Sequence, residues 1–187
     1  MKFSFRPYLR YKFLNALFSG VVGGSVFTVY TTLSPITFSV GGIVLAFGMM
    51  GIALFYHRLM KLTYFFTYTL MSEVIMLLMV AYYLLFSSHP LTALVVYAAY
   101  QLSFVLGGYL ARAETYFARR SHIMGWFDIS KQQGYIAGLT FSYGFYKVLE
   151  HYGITKATEQ VYHLHFVLFA LECMIIVALL LSFKKTR

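Results

Sequence analysis

Residues 62–86 read LTYFFTYTLMSEVIMLLMVAYYLLF, an apolar run with a single carboxyl side chain, Glu73, near its centre. About 20 mostly apolar residues in a helix cross the roughly 30 Å hydrocarbon core of a bilayer, so this run predicts a membrane-spanning helix. Of the 187 residues in the chain, 60% are hydrophobic and 11% are charged, and the mean hydropathy is +0.70. Water-soluble domains are usually about half apolar. The composition therefore favours an integral membrane protein.

Five further stretches have similar length and apolar character, which predicts an all-α, multi-pass membrane protein with six spans in one domain. With approximate ends, the six predicted spans are residues 13–33, 37–56, 62–86, 91–112, 132–149 and 161–183. The three prolines, Pro7, Pro35 and Pro90, lie outside these spans, as expected of a residue that removes a helix hydrogen bond. Pro35 and Pro90 lie in connections short enough to predict tight helical hairpins.

Lysine and arginine are distributed very unevenly between the two predicted sides of the membrane. One side carries Lys2, Arg6, Arg10, Lys12, Arg58, Lys61, Arg112, Arg119, Arg120, Lys131, Lys184, Lys185 and Arg187. The other side carries only Lys147 and Lys156. Because cytoplasmic loops are enriched in Lys and Arg, both chain ends are predicted to be cytoplasmic. The same rule accounts for the net charge of +9 without a nucleic-acid partner.

The basic residues of the two cytoplasmic connections, Arg58 and Lys61 in one and Arg119 and Arg120 in the other, form a predicted cytoplasmic basic loop region. The second connection is about 20 residues long and mixes aromatic residues with charges. This pattern indicates a helix extension followed by a segment in the headgroup region. Trp126 is the expected interfacial anchor of that segment.

Three polar side chains are predicted to lie near the membrane midplane: Glu73, Gln101 and Glu172. Ionisable groups at that depth are costly and mark candidate functional sites. If their helices face one another, the three side chains form a substrate or proton site of the kind that transporters hold at mid-membrane. The alternative is that each carboxyl is protonated and hydrogen-bonds a neighbouring helix, which would make it a packing element.

Small residues form a second pattern, with GxxxG spacing at Gly20/Gly24 and at Gly134/Gly138. This spacing lets two helix backbones approach closely, so helix packing is one predicted role. Gly23 and Gly24 are adjacent and near the middle of the first span. Because transporters often interrupt helices at that depth, a gating point there is the second predicted role.

Four histidines, His89, His151, His163 and His165, are predicted at or near the outer face. Imidazoles bind metal and haem iron, so a haem- or metal-handling protein is one alternative. His163 and His165 are two residues apart, which directs them to different sides of a helix. Ordinary interfacial histidines are therefore preferred, and no cofactor is expected.

The chain has no sequence motif of a known catalytic site, so the sequence predicts a protein that is not an enzyme.

The layout resembles one six-helix half of a major facilitator superfamily transporter. The similarity is carried by Arg58 and Lys61 in YHRLMK (56–61), which fit the basic positions of the family's signature after its second helix. His57 replaces the acidic residue and Met60 replaces a glycine of that signature. FVLGGYLARAETYFARR (104–120) and GYIAGLTFSYG (134–144) are similar to the family's fourth and fifth helices. The resemblance implies a partner half, most simply a second copy around an axis along the membrane normal.

The leading expectation is a half-size transporter that moves a small-molecule solute by alternating access, coupled to protons and acting as a homodimer. A second expectation is a non-transporting subunit or assembly factor of a larger membrane complex. The expected location is a bacterial inner membrane. The C-terminal KKTR favours the endoplasmic reticulum if the source is eukaryotic.

Overall fold

The computed structural model describes residues 2–184, and within this range the chain is helical except for one short pair of strands. The elements are β1 (Lys2–Phe3), α1 (Phe5–Val22), α2 (Ser25–Tyr30), α3 (Pro35–Leu54), α4 (Tyr56–Leu59), α5 (Leu62–Phe86), α6 (Thr92–Ala118), α7 (Ser121–His151), α8 (Ala157–Ser182) and β2 (Phe183–Lys184). The all-α class is confirmed. The predicted basic tail at Lys185 and Arg187 lies outside the described residues.

The two ends of the chain meet. Strand β1 pairs antiparallel with β2, with Lys2 opposite Lys184 and Phe3 opposite Phe183. The backbone N–H of Ser4 also donates to the carbonyl of Ser182 at 2.9 Å. The start of α1 and the end of α8 therefore lie at the same end of the helix bundle, so the chain passes along the bundle an even number of times.

Tyr8 marks the end of the bundle where the chain termini meet. Its ring contacts Phe3, Phe65, Phe127 and Phe183, which belong to both termini and to the starts of α5 and α7. We call this the basic end, because Arg58, Lys61, Arg119 and Arg120 belong to its connections.

The far end of the bundle brings together the end of α2, the α5–α6 connection and the start of α8, around Thr28, Ser88 and Thr158. Six helical rods run alternately between the two ends, with α1 and α2 forming one interrupted rod. The rods are α1–α2, α3, α5, α6, α7 and α8.

Four of the rods, α3, α5, α6 and α8, are long and apolar enough to cross a membrane. These helices support the assignment as an integral membrane protein. The two other rods are more polar: α1 begins with Arg6, Arg10 and Lys12, and the first part of α7 contains Asp128 and Lys131.

The ends of the predicted spans differ from the observed helices mainly around the connection between the fourth and fifth predicted spans. The span at 62–86 matches α5. The predicted long connection between the fourth and fifth spans is wrong, because α6 continues to Ala118 and α7 begins at Ser121. Only Arg119 and Arg120 connect them, and Arg119 has the positive φ of 54° that ends α6. The sequence pattern predicted a helix extension in this connection, and α6 and α7 both extend beyond their apolar parts.

Helices α1 and α7 pack backbone to backbone through glycines. A Cβ atom added to Gly138 would lie 2.2 Å from the carbonyl oxygen of Leu17, and one added to Gly134 would lie 2.2 Å from that of Phe13. A Cβ on Gly20 would lie 2.3 Å from the carbonyl oxygen of Tyr135. The predicted packing role fits these three glycines. A Cβ on Gly24 would meet nothing within 4 Å, so Gly24 is not part of this contact.

The core of the bundle is centred on α8, whose Leu164, Leu168, Ile175 and Leu179 are fully buried. Helix α8 packs against α1 and α5. Helix α3 is peripheral: none of its residues is buried, and among the long helices it packs mainly against α6. An apolar helix exposed on most sides is stable in lipid and is not expected in water.

Candidate functional site

Glu73 lies in the middle of α5 and is only 3% exposed. Two side chains one turn apart on α1 bind its carboxyl group. The hydroxyl of Tyr11 donates to Oε1 at 2.5 Å, and Nδ2 of Asn15 donates to Oε1 and Oε2 at 3.1 and 3.3 Å. Residues four apart share a helix face, so α1 presents both donors to Glu73 together.

Glu172 on α8 is fully buried beside Glu73. Within the described part of the chain, neither of its carboxyl oxygens accepts a hydrogen bond. The structure therefore brings together two of the three polar residues predicted at mid-membrane, and it gives them different surroundings. Glu73 is an acceptor for two donors, whereas Glu172 has only the neighbouring carboxyl group.

Gln101, the third residue of that predicted cluster, lies elsewhere. It lines a separate cleft of about 600 Å³ between α3 and α6. The neighbouring residue Tyr100 lines the cleft that Glu73 also lines. Successive residues of a helix point about 100° apart. Gln101 therefore points into a different cleft from Tyr100, although it was predicted at the same membrane depth as Glu73.

A half-open cleft of about 410 Å³ lies between α1–α2, α5 and α6, and Glu73 lines it. Its other polar lining residues are Asn15, Ser19, Tyr30, Ser72, Tyr100 and Ser103. The hydroxyl oxygens of Tyr100 and Ser103 are buried and have no hydrogen-bond partner among the described residues. Buried polar atoms without partners are uncommon in folded proteins, and an unfilled binding site is one setting in which they occur.

The wall of this cleft is strongly aromatic. Phe18 is buried within it, whereas Phe27 and Phe104 are 77% and 58% exposed. The cleft therefore opens to the surface between α2 and α6. An apolar wall with a few convergent polar groups is typical of small-molecule sites.

Between the cleft and the basic end, side-chain contacts join α1 to α6. Glu114 of α6 accepts hydrogen bonds from the hydroxyl of Tyr8 at 2.9 Å and from Nζ of Lys12 at 3.0 Å. The Lys12–Glu114 ion pair is largely shielded, with side-chain exposures of 17% and 19%. These contacts connect α1 to α6, which otherwise pack mainly against different neighbours.

Aromatic rings close the cleft towards the far end. Tyr30 of α2 contacts Tyr97 of α6 with ring centroids 5.5 Å apart, and Phe38 of α3 contacts both rings. The cleft is thus bounded at each end by a small set of side chains between the α1–α2 rod and α6.

The helix formed by α1 and α2 is interrupted beside the cleft. Helix α1 ends at Val22, α2 begins at Ser25, and Gly23 lines the cleft. The Ser25 hydroxyl donates to the carbonyl of Val22 at 2.8 Å. The interruption is at the predicted glycine pair, Gly23 and Gly24, and their role as a gating point remains a prediction.

The four candidate histidines are not brought together. His165 is buried inside the bundle, where it stacks on Tyr83 with ring centroids 3.7 Å apart and its Nδ1 lies 2.7 Å from the carbonyl oxygen of Val161. His89 and His151 are exposed, and His163 is half-buried. Among the described residues, no group of three His, Cys, Asp or Glu could hold a metal ion.

The predicted basic loop residues, Arg58, Lys61, Arg119 and Arg120, are exposed at the basic end. Lys61 and Arg119 each lie 5.9 Å from the ring of a nearby tyrosine. The predicted site did not include Tyr11, Asn15, Tyr100 or Glu114. Asn15 lies within the first predicted span and Glu114 lies two residues beyond the fourth, and their polarity was the one signal available in the sequence.

Comparison of the chain with protein-family models, curated proteins and solved structures found no match. The function proposed below therefore rests on the geometry of the cleft.

Proposed function

We propose that this protein is a small-solute transporter that works by alternating access and couples transport to protons through Glu73 and Glu172. The observation that carries the proposal is the half-open cleft, which is lined by the buried carboxyl group of Glu73 and by unpartnered hydroxyl groups. In this proposal the six rods are six membrane spans, and the basic end faces the cytoplasm, as the positive-inside rule predicts.

Glu73 and Glu172 together form the proposed proton site. Two ionised carboxylates in contact repel strongly in an apolar interior, so a shared proton stabilises such a pair. The hydrogen bonds distinguish the two carboxyl groups. Tyr11 and Asn15 donate to Glu73, whereas no described group donates to Glu172, so a bound proton stabilises Glu172 more. Glu172 holds the proton in the resting protein, and Glu73 faces the solute.

The two closures of the cleft are the proposed gates. Glu114 with Tyr8 and Lys12 closes the cytoplasmic side, and Tyr30 with Tyr97 closes the opposite side. Alternating access requires one gate to open while the other is closed. The interruption at Gly23 and Gly24 lies between the gates, where a change of helix direction moves one gate relative to the other.

The pairing of the rods supports the resemblance to a half of a major facilitator. If the first three rods are exchanged in order with the last three, α1–α2 takes the place of α6, α3 that of α7, and α5 that of α8. The α1–α7 contact then becomes the α3–α6 contact. The contacts α1–α8 and α5–α6 correspond in the same way, and α5–α8 corresponds to itself. Repeats of three helices are typical of that family. A second copy over the open cleft completes the proposed transporter, because polar groups are not stable against lipid.

Proton-coupled flux in liposomes tests the proposal. Purified protein is reconstituted with a trapped pH indicator, and cationic, anionic and neutral small solutes are applied one at a time. We expect at least one solute to drive proton flux in the wild type and not in Glu73→Gln. Gln101→Leu, in the other cleft, is the matched control and should retain the flux. Full proton flux in Glu73→Gln would contradict the proton-coupling role.

A second candidate function, a non-transporting membrane subunit, is favoured by α3. None of its residues is buried, although it carries large apolar side chains along its whole length. Such a helix provides a surface for another membrane protein. Purification in mild detergent distinguishes the two functions. A stoichiometric second protein would favour the subunit, whereas a stable homodimer would favour the transporter.

A further inference from the structure

We propose that the cleft beside Glu73 binds a monovalent organic cation with an aromatic or apolar body, and that binding releases a proton from the carboxyl pair. This inference rests on the proposed transport function and names the substrate class for the same site. Charge, aromatic lining, hydroxyl groups and proton balance support it separately.

The charge of the lining favours a cation. Glu73 is the one carboxyl group that lines the cleft, and no Lys, Arg or His of the described chain lines it. The nearest cation, Lys12, is paired with Glu114 at 3.0 Å. An anionic solute would therefore find no opposite charge, and a neutral solute would leave Glu73 without a charge partner. A cation beside an ionised Glu73 compensates the cost of placing either charge in an apolar interior.

The aromatic rings favour an organic cation over a metal ion. Phe18, Phe27, Tyr30, Tyr100 and Phe104 all line the cleft. The faces of aromatic rings attract ammonium groups, and aromatic cages of this kind bind quaternary ammonium ligands. Small metal ions are held mainly by several oxygen ligands, usually with more than one carboxylate, whereas Glu73 is the one carboxyl group among the aromatic, hydroxyl and amide side chains that line this cleft.

The two unpartnered hydroxyls complete the recognition of a polar head. The oxygens of Tyr100 and Ser103 are buried and have free acceptor capacity. An ammonium N–H group or a water bound to the cation would satisfy them. The volume of about 410 Å³ accommodates an amine with one aromatic ring.

The exchange balances in charge. Before binding, one proton is shared by Glu73 and Glu172. When the cation takes its place beside Glu73, that proton leaves to water, and no covalent bond of the ligand changes. One bound cation therefore releases about one proton, and the pair together with its bound cation has the same net charge as the singly protonated pair had before the exchange.

Binding of benzyltrimethylammonium to the purified full-length protein in detergent tests this inference. This probe carries a permanent charge and has no proton to release, so any released proton comes from the protein. Calorimetry in two buffers of different ionisation enthalpy counts that proton. Neopentylbenzene, the neutral carbon analogue, and phenylmethanesulfonate, an anion of similar size, are the matched ligands. We expect binding of the cation alone, with about one proton released.

Three variants localise the site. Glu73→Gln should weaken cation binding more than tenfold and abolish proton release. Phe104→Leu, at the exposed rim, should weaken binding about two- to fivefold through loss of one ring. Glu159→Gln, an exposed carboxyl at the far end, should change neither. Phe104→Leu keeps the test valid if Glu73→Gln does not fold.

Several results would overturn the inference: no cation binding by the wild type, equal binding of the anion or the neutral analogue, or unchanged binding in both Glu73→Gln and Phe104→Leu. Cation binding without proton release would overturn the exchange. These results are distinguishable from failure of the transport proposal. Glu73-dependent proton flux driven by an anionic or neutral solute in liposomes would leave transport standing and reject only the cation.

Discussion

The Tyr11 hydroxyl illustrates, at the scale of single residues, how the buried carboxyl pair is held. It donates to Oε1 of Glu73 at 2.5 Å in a buried setting. In Tyr11→Phe the ring remains and the donor is lost. Because Oε1 of Glu73 would lose its shorter hydrogen bond and keep only the one from Asn15, we expect unfolding to become easier by about 1–3 kcal/mol. Thermal unfolding in detergent, followed by the fluorescence of Trp126, measures the change.

Tyr64→Phe is the matched control for Tyr11→Phe. Tyr64 is on α5, the helix of Glu73, is 41% exposed and makes no side-chain hydrogen bond among the described residues. Tyr64→Phe should therefore unfold at the same temperature as the wild type. Equal stability of the two variants would show that the Tyr11–Glu73 bond contributes nothing to the fold.

Glu172 gives a second prediction at this scale, because its two oxygens lack hydrogen-bond donors. In Glu172→Gln the new amide N–H can donate to Glu73, as a protonated carboxyl would. We therefore expect unchanged or higher stability in the same unfolding assay, together with loss of solute-driven proton flux. A clear loss of stability would mean that Glu172 is ionised and has a partner other than Glu73.

The contact between α1 and α7 leads to a prediction at the scale of elements. In Gly138→Ala the added Cβ would lie 2.2 Å from the carbonyl oxygen of Leu17 and 2.9 Å from the Cα of Gly20, both backbone atoms. The helices must separate, and we expect a loss of about 1–3 kcal/mol in unfolding free energy. Denaturant titration in mixed micelles measures it.

Gly144→Ala, in the same helix, is the control for that prediction. A Cβ at Gly144 meets nothing within 4 Å. Because alanine favours helix over glycine, this variant should be as stable as the wild type or more stable by up to about 1 kcal/mol. If Gly138→Ala behaved in the same way, the close α1–α7 contact would be absent from the folded protein.

The gate at the basic end also belongs to the scale of elements, since it connects α1 to α6. Glu114→Ala removes the acceptor of both Tyr8 and Lys12. Losing roughly 1 kcal/mol of closing energy should raise access to the cleft from the basic end about fivefold. The labelling rate of a cysteine at Ser19, in a chain with Cys173→Ser, measures this access. Faster labelling from the far end instead would contradict the gate assignment.

The pairing of β1 with β2 sets the prediction for the whole molecule. Both chain ends lie at one end of the bundle, so tags at the two termini should lie on the same side of the membrane. A tag inserted after Gly153, in the α7–α8 connection, should lie on the other side. Protease protection of sealed vesicles reads all three positions. Termini on opposite sides would contradict the six-span topology.

The sequence by itself indicated that the protein lies in lipid, that it is all-α, and approximately where each rod lies along the chain. Long apolar runs need lipid, and a helix is the structure that satisfies its backbone there, so the span at 62–86 could be predicted to its ends. Depth also follows from position along a span, which is why Glu73 and Glu172 were expected at one level.

The tertiary structure alone decided which of those residues face one another. Rotation about a helix axis is set by packing against neighbours, and no short-range pattern fixes it. Gln101 therefore faces a different cleft, Gly20 meets Gly138 without using Gly24, and Tyr11 and Asn15 face Glu73. The structure also decided how far the predicted helix extension runs, since α6 continues to Ala118 and α7 begins at Ser121.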